Sequence, residues 1–525
     1  MKKLKYQIFM GLLLTIVVFS CKKKPLESFV PDRMFTPTAI NITGGDTAVT
    51  ISWPASLFSA GRGATYTLEI SDDTTFQAQP VLTLIVDSTS RTITDDSLQD
   101  RKPYFARVKA NKTQNSAESG WVESDKNFML IGVQIFQPIL PTDVIDNSVI
   151  LNWTPTPGVN KILFTAANGD TMSVAVSAAE NAAGTKTVTG LTSSTTYNAE
   201  IFAGTKSKGL LAFTTKEKLN GNNIIDLRGI TDNPQVLYDT LPNIPDGSII
   251  LLKRGLTYTI PSSYSFDRSV TIMSGLGFST PATLLLDGNF DAVDGNIDSL
   301  HFSDITIAND NGNSSYFMNI GHAAVIGNLT VQNVTTRGEF NNSFIRLKKA
   351  GADIKNLVIN NCIIDSFGVA SKYAVLYANA SSSAVIENIN IQNSTFYYFY
   401  YFVREDGVTG TSLDINNCTF NNMINNGGYF VNYSGTFPTE FTINNSILGS
   451  TIDPTNSNGI KSSGNALLSN TYSTSDDVFS ANPILGTSSY PGAASDLFAD
   501  PANGDFTIKD ASFAGKSTAG DPRWR

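Results

Sequence analysis

The chain has 525 residues, of which 41% are apolar and 16% charged, with a net charge of −9. That length calls for two to four domains, and the apolar share is enough for packed cores. The negative balance argues against a nucleic-acid partner, which would ask for a basic surface. Runs of strong helix formers are few, and β-branched and aromatic residues recur between turn residues, so the expected fold class is all-β.

The N-terminus reads as a targeting segment. Lys2, Lys3 and Lys5 precede an apolar run, Ile8 to Phe19, that is too short to span a bilayer comfortably. Residues 1–20 are therefore assigned to a signal peptide and 21–33 to a linker. The stretch Val17-Val18-Phe19-Ser20-Cys21 resembles a lipobox, with Phe19 the less usual member. The resemblance implies cleavage before Cys21 and lipidation of that residue, which would tether the chain to a membrane without a spanning helix. The alternative is an ordinary signal peptide with a chance cysteine. The expected location is the outer membrane, on the cell surface. Because Lys22-Lys23-Lys24 lacks the acidic run of known surface-export signals, a periplasm-facing anchor stays open.

Residues 34–130 and 131–216 show short strands with period-2 patterning. Each segment has an early Trp, Trp53 or Trp153, and a later Leu-x5-Tyr spacing, Leu98 to Tyr104 and Leu191 to Tyr197. This pairing resembles the fibronectin type III sandwich, in which that Tyr makes a corner hydrogen bond. The Trp residues are expected in the cores, and such modules are expected to be spacers or adhesive elements.

Residues 217–525 carry a repeat, and a period near 28 residues means a solenoid. Lines beginning at Ser299, Asn328, Asn356, Asn388, Ser412 and Glu440 start 29, 28, 32, 24 and 28 residues apart. Their second and fourth positions are apolar, as in Leu357 and Ile359. The sixth is Asp304, Asn333, Asn361, Asn393, Asn417 or Asn445, a residue that tolerates the left-handed turn conformation. The seventh is small or apolar and should start the next strand. Cys362 and Cys418 hold this seventh position two coils apart, too far for a disulfide.

A further strand recurs after each line, with an inward aliphatic column and, by alternation, an outward column of Asn319, Arg346, Tyr377, Arg404 and Asn432. Three strands per coil with an Asn turn resemble the right-handed parallel β-helix of the pectate-lyase-like superfamily. The opening segment Asp246 to Tyr258 and the closing segment Phe498 to Lys509 are similar to that superfamily too, and the latter should form a C-terminal cap. The order of lipobox, two fibronectin-like modules and β-helix is similar to lipoproteins of Gram-negative polysaccharide-utilisation systems. The resemblance implies a sugar polymer running along one outward sheet face, and an outer-membrane glycan-uptake complex as a partner.

The candidate ligand-binding residues are Asn319, Arg346, Lys348, Tyr377, Tyr398, Tyr400, Arg404 and Asn432. Guanidinium groups match uronate carboxylates, so the expected ligand is an acidic, pectin-like polysaccharide. Lys349 adds positive charge and Glu405 with Asp406 adds acid. In the run Tyr397 to Phe402, Phe399 and Phe402 are expected in the core, and Tyr398 and Tyr400 on a rim beside Arg404. A divergent lyase is the second reading, with Arg346, Lys348 or Arg404 as base; calcium, otherwise not expected, would then sit at Asp287, Asp291, Asp294 and Asp298. A structural adhesin or spacer is the third. His301 and His322 have no partner motif and read as structural. There is no metal-ligand spacing of His and Cys, no Walker loop and no Gly-x-Ser-x-Gly elbow.

Overall fold

The computed structural model describes residues 30–525 apart from 62, 222, 370–372, 381–382 and 462–463. The expected signal peptide, Cys21 and residues 21–29 of the expected linker lie outside the described residues. The chain divides into two units at Lys218/Leu219.

The N-terminal unit holds two antiparallel sandwiches of fibronectin type III type. In the first, Asn41–Gly44, Ala48–Ser52 and Ser90–Thr94 face a four-stranded sheet containing Tyr66–Ser71 and Phe105–Ala110. In the second, Ser148–Asn152 and Thr185–Thr189 face a four-stranded sheet containing Val159–Ala166 and Thr196–Ala203. Trp53 and Trp153 are buried between the sheets. The backbone N–H of Gln99 donates to Tyr104 Oη at 3.0 Å, and that of Thr192 to Tyr197 Oη at 2.9 Å. Both are the corner bonds that the Leu-x5-Tyr spacing anticipates.

The C-terminal unit is a parallel β-solenoid of about nine turns. Among the described residues its strands form three parallel sheets of ten, ten and eight strands. Sheet A contains Ala324–Gln332, Asp353–Asn360, Val385–Gln392 and Ser412–Asn416. Sheet B contains Thr335–Arg337, Ile363–Phe367, Thr395–Phe399 and Thr419–Met423. Sheet C contains Phe290–Ala292, Met318–Ile320, Ile345–Leu347, Leu376–Ala378, Val403–Glu405 and Tyr429–Tyr433.

The coil turns where the repeat places its Asn. Asp304, Asn333, Asn361, Asn393, Asn417 and Asn445 all have φ between 47° and 55°. This is a conformation in which a β-branched residue would be strained. Their amides stack along the axis, but the ladder is interleaved. Asn361 Nδ2 donates to Asn333 Oδ1 at 2.7 Å, whereas Asn393 reaches Asn360 and Asn445 reaches Asn416, both at 3.0 Å. The seventh position is buried throughout. Cys362 and Cys418 are free thiols separated by Ser394, whose hydroxyl accepts from the Cys362 amide. Burial pushes the Cys362 thiol up to about 12.

Inside, side chains stack on their counterparts one coil away. Met318, Ile345, Leu376, Val403 and Val431 are fully buried, and the residue before each is buried too. Phe317 stacks on Phe344 at 4.9 Å and Phe402 on Phe430 at 5.1 Å. Two consecutive buried residues break simple alternation: Phe317, Phe344, Val375 and Phe402 come from the turn before the strand, and Phe430 lies within Tyr429–Tyr433.

The closing segment does not merely cap the stack. It folds back along the outer face of sheet B, where Phe506 packs on Tyr397 and Phe513 on Tyr472. The indole N–H of Trp524 donates to Thr395, and Arg523 and Arg525 donate to the turn amides of Asn361 and Asn417. The outer face of sheet B in these coils is thus occupied by the chain itself.

Candidate functional site

The outward column of sheet C is in register from strand to strand. Asn319 pairs with Arg346, Arg346 with Tyr377, Tyr377 with Arg404, Arg404 with Asn432 and Asn432 with Lys461. Phe290 pairs with Met318, which puts Asp291 beside Asn319 at the other end. Asp291 and Lys461 stand 28 residues before Asn319 and 29 after Asn432. Extending the coil period in both directions would have found them.

The two banks of this face differ in chemistry. The turns entering the sheet C strands bring Tyr316, Tyr373, Tyr400 and Tyr401, and Tyr429 opens its own strand. The turns leaving them bring His322, Lys348, Lys349 and Asp406. Lys348 and Lys349 are exposed, and the Lys348 amide ties its turn to Ile320 O at 2.9 Å.

Outward placement is not exposure. Tyr377 is 6% exposed and Asn432 8%, against the expectation of an open face. Tyr377 is covered by Tyr373, Tyr400 and Tyr401. Its hydroxyl donates to Asp406 Oδ2 at 2.6 Å, and burial followed by that carboxylate raises its pKa. Arg404 lies 4.8 Å from the Tyr377 ring and donates from Nε to Asp406 Oδ1 at 2.7 Å. Arg404 is therefore an ion-paired, ring-stacked cation and not the open one expected from sequence. The Asn319 and Asn432 Oδ1 atoms are buried and unpartnered among the described residues.

Arg346 is held differently. Its guanidinium lies 4.9 Å from the Tyr373 ring and 5.6 Å from that of Tyr316. Nη1 donates to Tyr316 Oη at 2.8 Å and Nε to Asn379 Oδ1 at 3.3 Å. Both acceptors are neutral. No carboxylate pairs with Arg346, and Nη2 has no hydrogen-bond partner, among the described residues.

The aromatic run divides as well. Phe399 and Phe402 are buried in the core. Tyr398 is 40% exposed at a φ of 58°, but it stands on sheet B, away from the column. Tyr400 is half-buried against Tyr377, and Tyr401 is the ring beside Arg404, at 5.8 Å. The rim expected from Tyr398 and Tyr400 together is not formed.

The four acids considered for calcium are parted. Asp287 accepts from Asn311 and Asn313, Asp294 from the Ala323 amide, and Asp298 lies by Asp246 and Arg268. Asp291 accepts from the Gly321 and Ala292 amides, and its Oδ2 lies 3.2 Å from His322 Nδ1. His322, read as unpartnered from sequence, therefore has a carboxylate partner 31 residues away. Among the described residues no group of three or more His, Cys, Asp or Glu side chains is placed to hold a metal.

A family model described as a domain of unknown function (DUF5123) matches residues 413–524. No curated protein matches the sequence. Among solved structures the chain is similar to the chicken CNTN1 FN1–FN3 domains, at 14% identity and a TM-score of 0.16. That match covers 35% of this chain and 65% of the other. It is also similar to a two-domain fibronectin type III segment of chicken tenascin, at 16% identity and a TM-score of 0.19, covering 34% and 99%. A third is the chicken interferon gamma receptor alpha chain, at 14% identity and a TM-score of 0.17, covering 34% and 98%. The class of the modules rests on their own strand order and tyrosine corners. Sandwich modules joined to a β-solenoid are compatible with binding or adhesion.

Proposed function

We propose that the protein is a lipid-anchored receptor for an acidic polysaccharide, which runs along the outer face of sheet C and places a carboxylate on Arg346. The observation that carries this reading is the state of Arg346. A half-buried guanidinium without a counter-ion is costly, and here it persists in a chain of net charge −9. Two tyrosine rings and two neutral acceptors fix its orientation, so a carboxylate meets a pre-ordered fork. Lys348 and Lys349 on the adjacent turn add long-range attraction. Tyr400 and Tyr429 on the opposite bank offer ring faces to sugars.

Cys21 would supply the anchor at the outer membrane, the fibronectin-like modules the reach, and a glycan-uptake complex the destination. Cys21→Ser should move the protein out of the membrane fraction, since the lipid is the hydrophobic tether in this reading; retention of the processed variant there would refute the anchor. For the ligand, the wild-type protein is titrated calorimetrically against polygalacturonate and against methyl-esterified pectin. Tighter binding of the de-esterified polymer, weakening with salt, is expected. Equal affinity for both polymers would remove the carboxylate from the account.

A further inference from the structure

We propose that the Ser56–Ser59 turn of the first fibronectin-like module is a membrane-docking tip, which seats that module on the lipid surface beside the anchor. This rests on the reading of Cys21 given above and extends it from a tether to a second contact with the bilayer, made by the protein itself. Tyr66 pairs with Ala110, so the loop before Tyr66 and the loop after Ala110 leave the module at one end. The start of the described chain is at the same end. Ser116 Oγ donates to Pro31 O, the Ala117 amide to Asp32 O at 2.8 Å, and Ser56 Oγ to Phe35 O at 2.6 Å. Val30 follows Cys21 by nine residues, which span at most about 30 Å. A lipid on Cys21 therefore keeps this end of the module within that distance of the bilayer.

That end presents apolar side chains to solvent. Leu57 is 59% exposed and Phe35 40%, and the Phe58 ring lies 5.7 Å from that of Phe35. The turn beneath them is fixed. The Ser59 amide and hydroxyl both donate to Ser56 O, at 3.2 and 2.6 Å, and the Ser56 amide donates to Tyr66 Oη at 3.0 Å. Phe58 is the third residue of this turn and has a φ of 61°. Turns with positive φ at that position ordinarily place Gly or Asn there. An aromatic residue in its stead is backbone strain of the kind kept at places of use. A Cβ at Gly61 or Gly63 would meet nothing within 4 Å, so these positions stand clear of the module.

The chemistry of this end fits a lipid headgroup layer. Leu and Phe side chains bury at the boundary between headgroups and acyl chains, and a turn that is already shaped loses little freedom on entering it. Arg33 and Lys112 are exposed at this end, against the exposed Asp32, while Glu118 is taken by Lys109 at 2.9 Å. Lys22, Lys23 and Lys24 follow the anchor directly, and basic residues at a membrane surface are drawn to anionic headgroups. With the tip in the lipid, the first module rests on two contacts, and its approach to the surface is set instead of swivelling about the lipid.

The test reconstitutes the acylated protein in vesicles of phosphatidylethanolamine and phosphatidylglycerol, with mass spectrometry reading the lipid on Cys21. A polarity-sensitive fluorophore is placed on Ala60→Cys, exposed beside the tip, or on Ile85→Cys, 75% exposed on the edge strand Leu82–Val86 of the same module. Cys362 and Cys418 are buried and stay unlabelled. The label at position 60 should shift to the blue and be quenched by lipids carrying a nitroxide near the headgroup, while the label at position 85 stays water-like. Adding Leu57→Asp to the protein labelled at position 60 should abolish both signals and leave its urea midpoint unchanged, because Leu57 is outside the core. A water-like label at position 60 on acylated protein, equal signals at both positions, or signals that survive Leu57→Asp would overturn the tip and leave the anchor standing. An unmodified Cys21 would overturn the anchor, and the tip with it.

Discussion

Arg346 and Arg404 occupy one column of one sheet, two coils apart, and sequence alone makes them equivalent. In the structure one is satisfied and the other is not. Arg404 is bonded to Asp406, which also takes the Tyr377 hydroxyl, and the next residue, Glu405, is wholly buried with its carboxyl oxygens accepting from the Ile386 and Gly410 amides. This coil spends its polar groups on holding its own turn. The Arg346 coil has the same ring-stacked guanidinium, but its partners are neutral. Counter-ions, rather than outward direction, separate a scaffold cation from a candidate ligand cation.

The largest effect expected from this contrast lies under the Arg404 coil. Burial pushes the Glu405 carboxyl up to about 8, with the nearby Asp353 carboxylate adding to the shift against two backbone N–H groups that lower it. Tyr433, one coil on, faces the same site. Between the ordinary glutamate range and pH 8 the unfolded chain has released this proton and the native chain keeps it. Stability therefore falls as pH rises through that window, by on the order of 5 kcal/mol in all. Glu405→Gln cannot ionise, so its chemical-denaturation stability relative to wild type should rise from pH 5 to pH 9. A flat difference across that range would mean that Glu405 is not the neutral buried acid described here.

A smaller effect concerns Arg404 itself. Arg404→Ala leaves Asp406 with one fewer donor and uncovers the Tyr377 ring, and should cost about 2 kcal/mol. Arg346→Ala, which strands no charge, should cost less than about 1 kcal/mol. Urea melts of the two variants compare them directly, and equal losses would erase the distinction between the coils.

Much of this scaffold was legible in advance. Asn turns at the sixth position, buried residues at the second, fourth and seventh, and the two tyrosine corners each follow from a local rule of conformation or alternation. The face of Arg346 and Arg404 was legible for the same reason. What covers that face was not, because Tyr373, Tyr400 and Tyr401 come from turns whose path no periodicity specifies. Nor was the fold-back of residues 494–525 onto sheet B, which depends on contacts such as Phe506 on Tyr397 between distant segments. His322 and Asp291 meet only because two coils are stacked in register; counting one period back from Asn319 would have pointed to Asp291, though not to the direction of its carboxylate.

The central claim is that Arg346, and not Arg404, receives the carboxylate. The direct measurement is calorimetric titration of polygalacturonate into wild type, Arg346→Ala and Arg404→Ala at a temperature where all three are folded. A charge-assisted pair of this kind contributes about 1.5–3 kcal/mol, so Arg346→Ala should bind at least ~10-fold more weakly, with Arg404→Ala within about threefold of wild type. An equal loss in both variants, or a larger one in Arg404→Ala, would contradict the account.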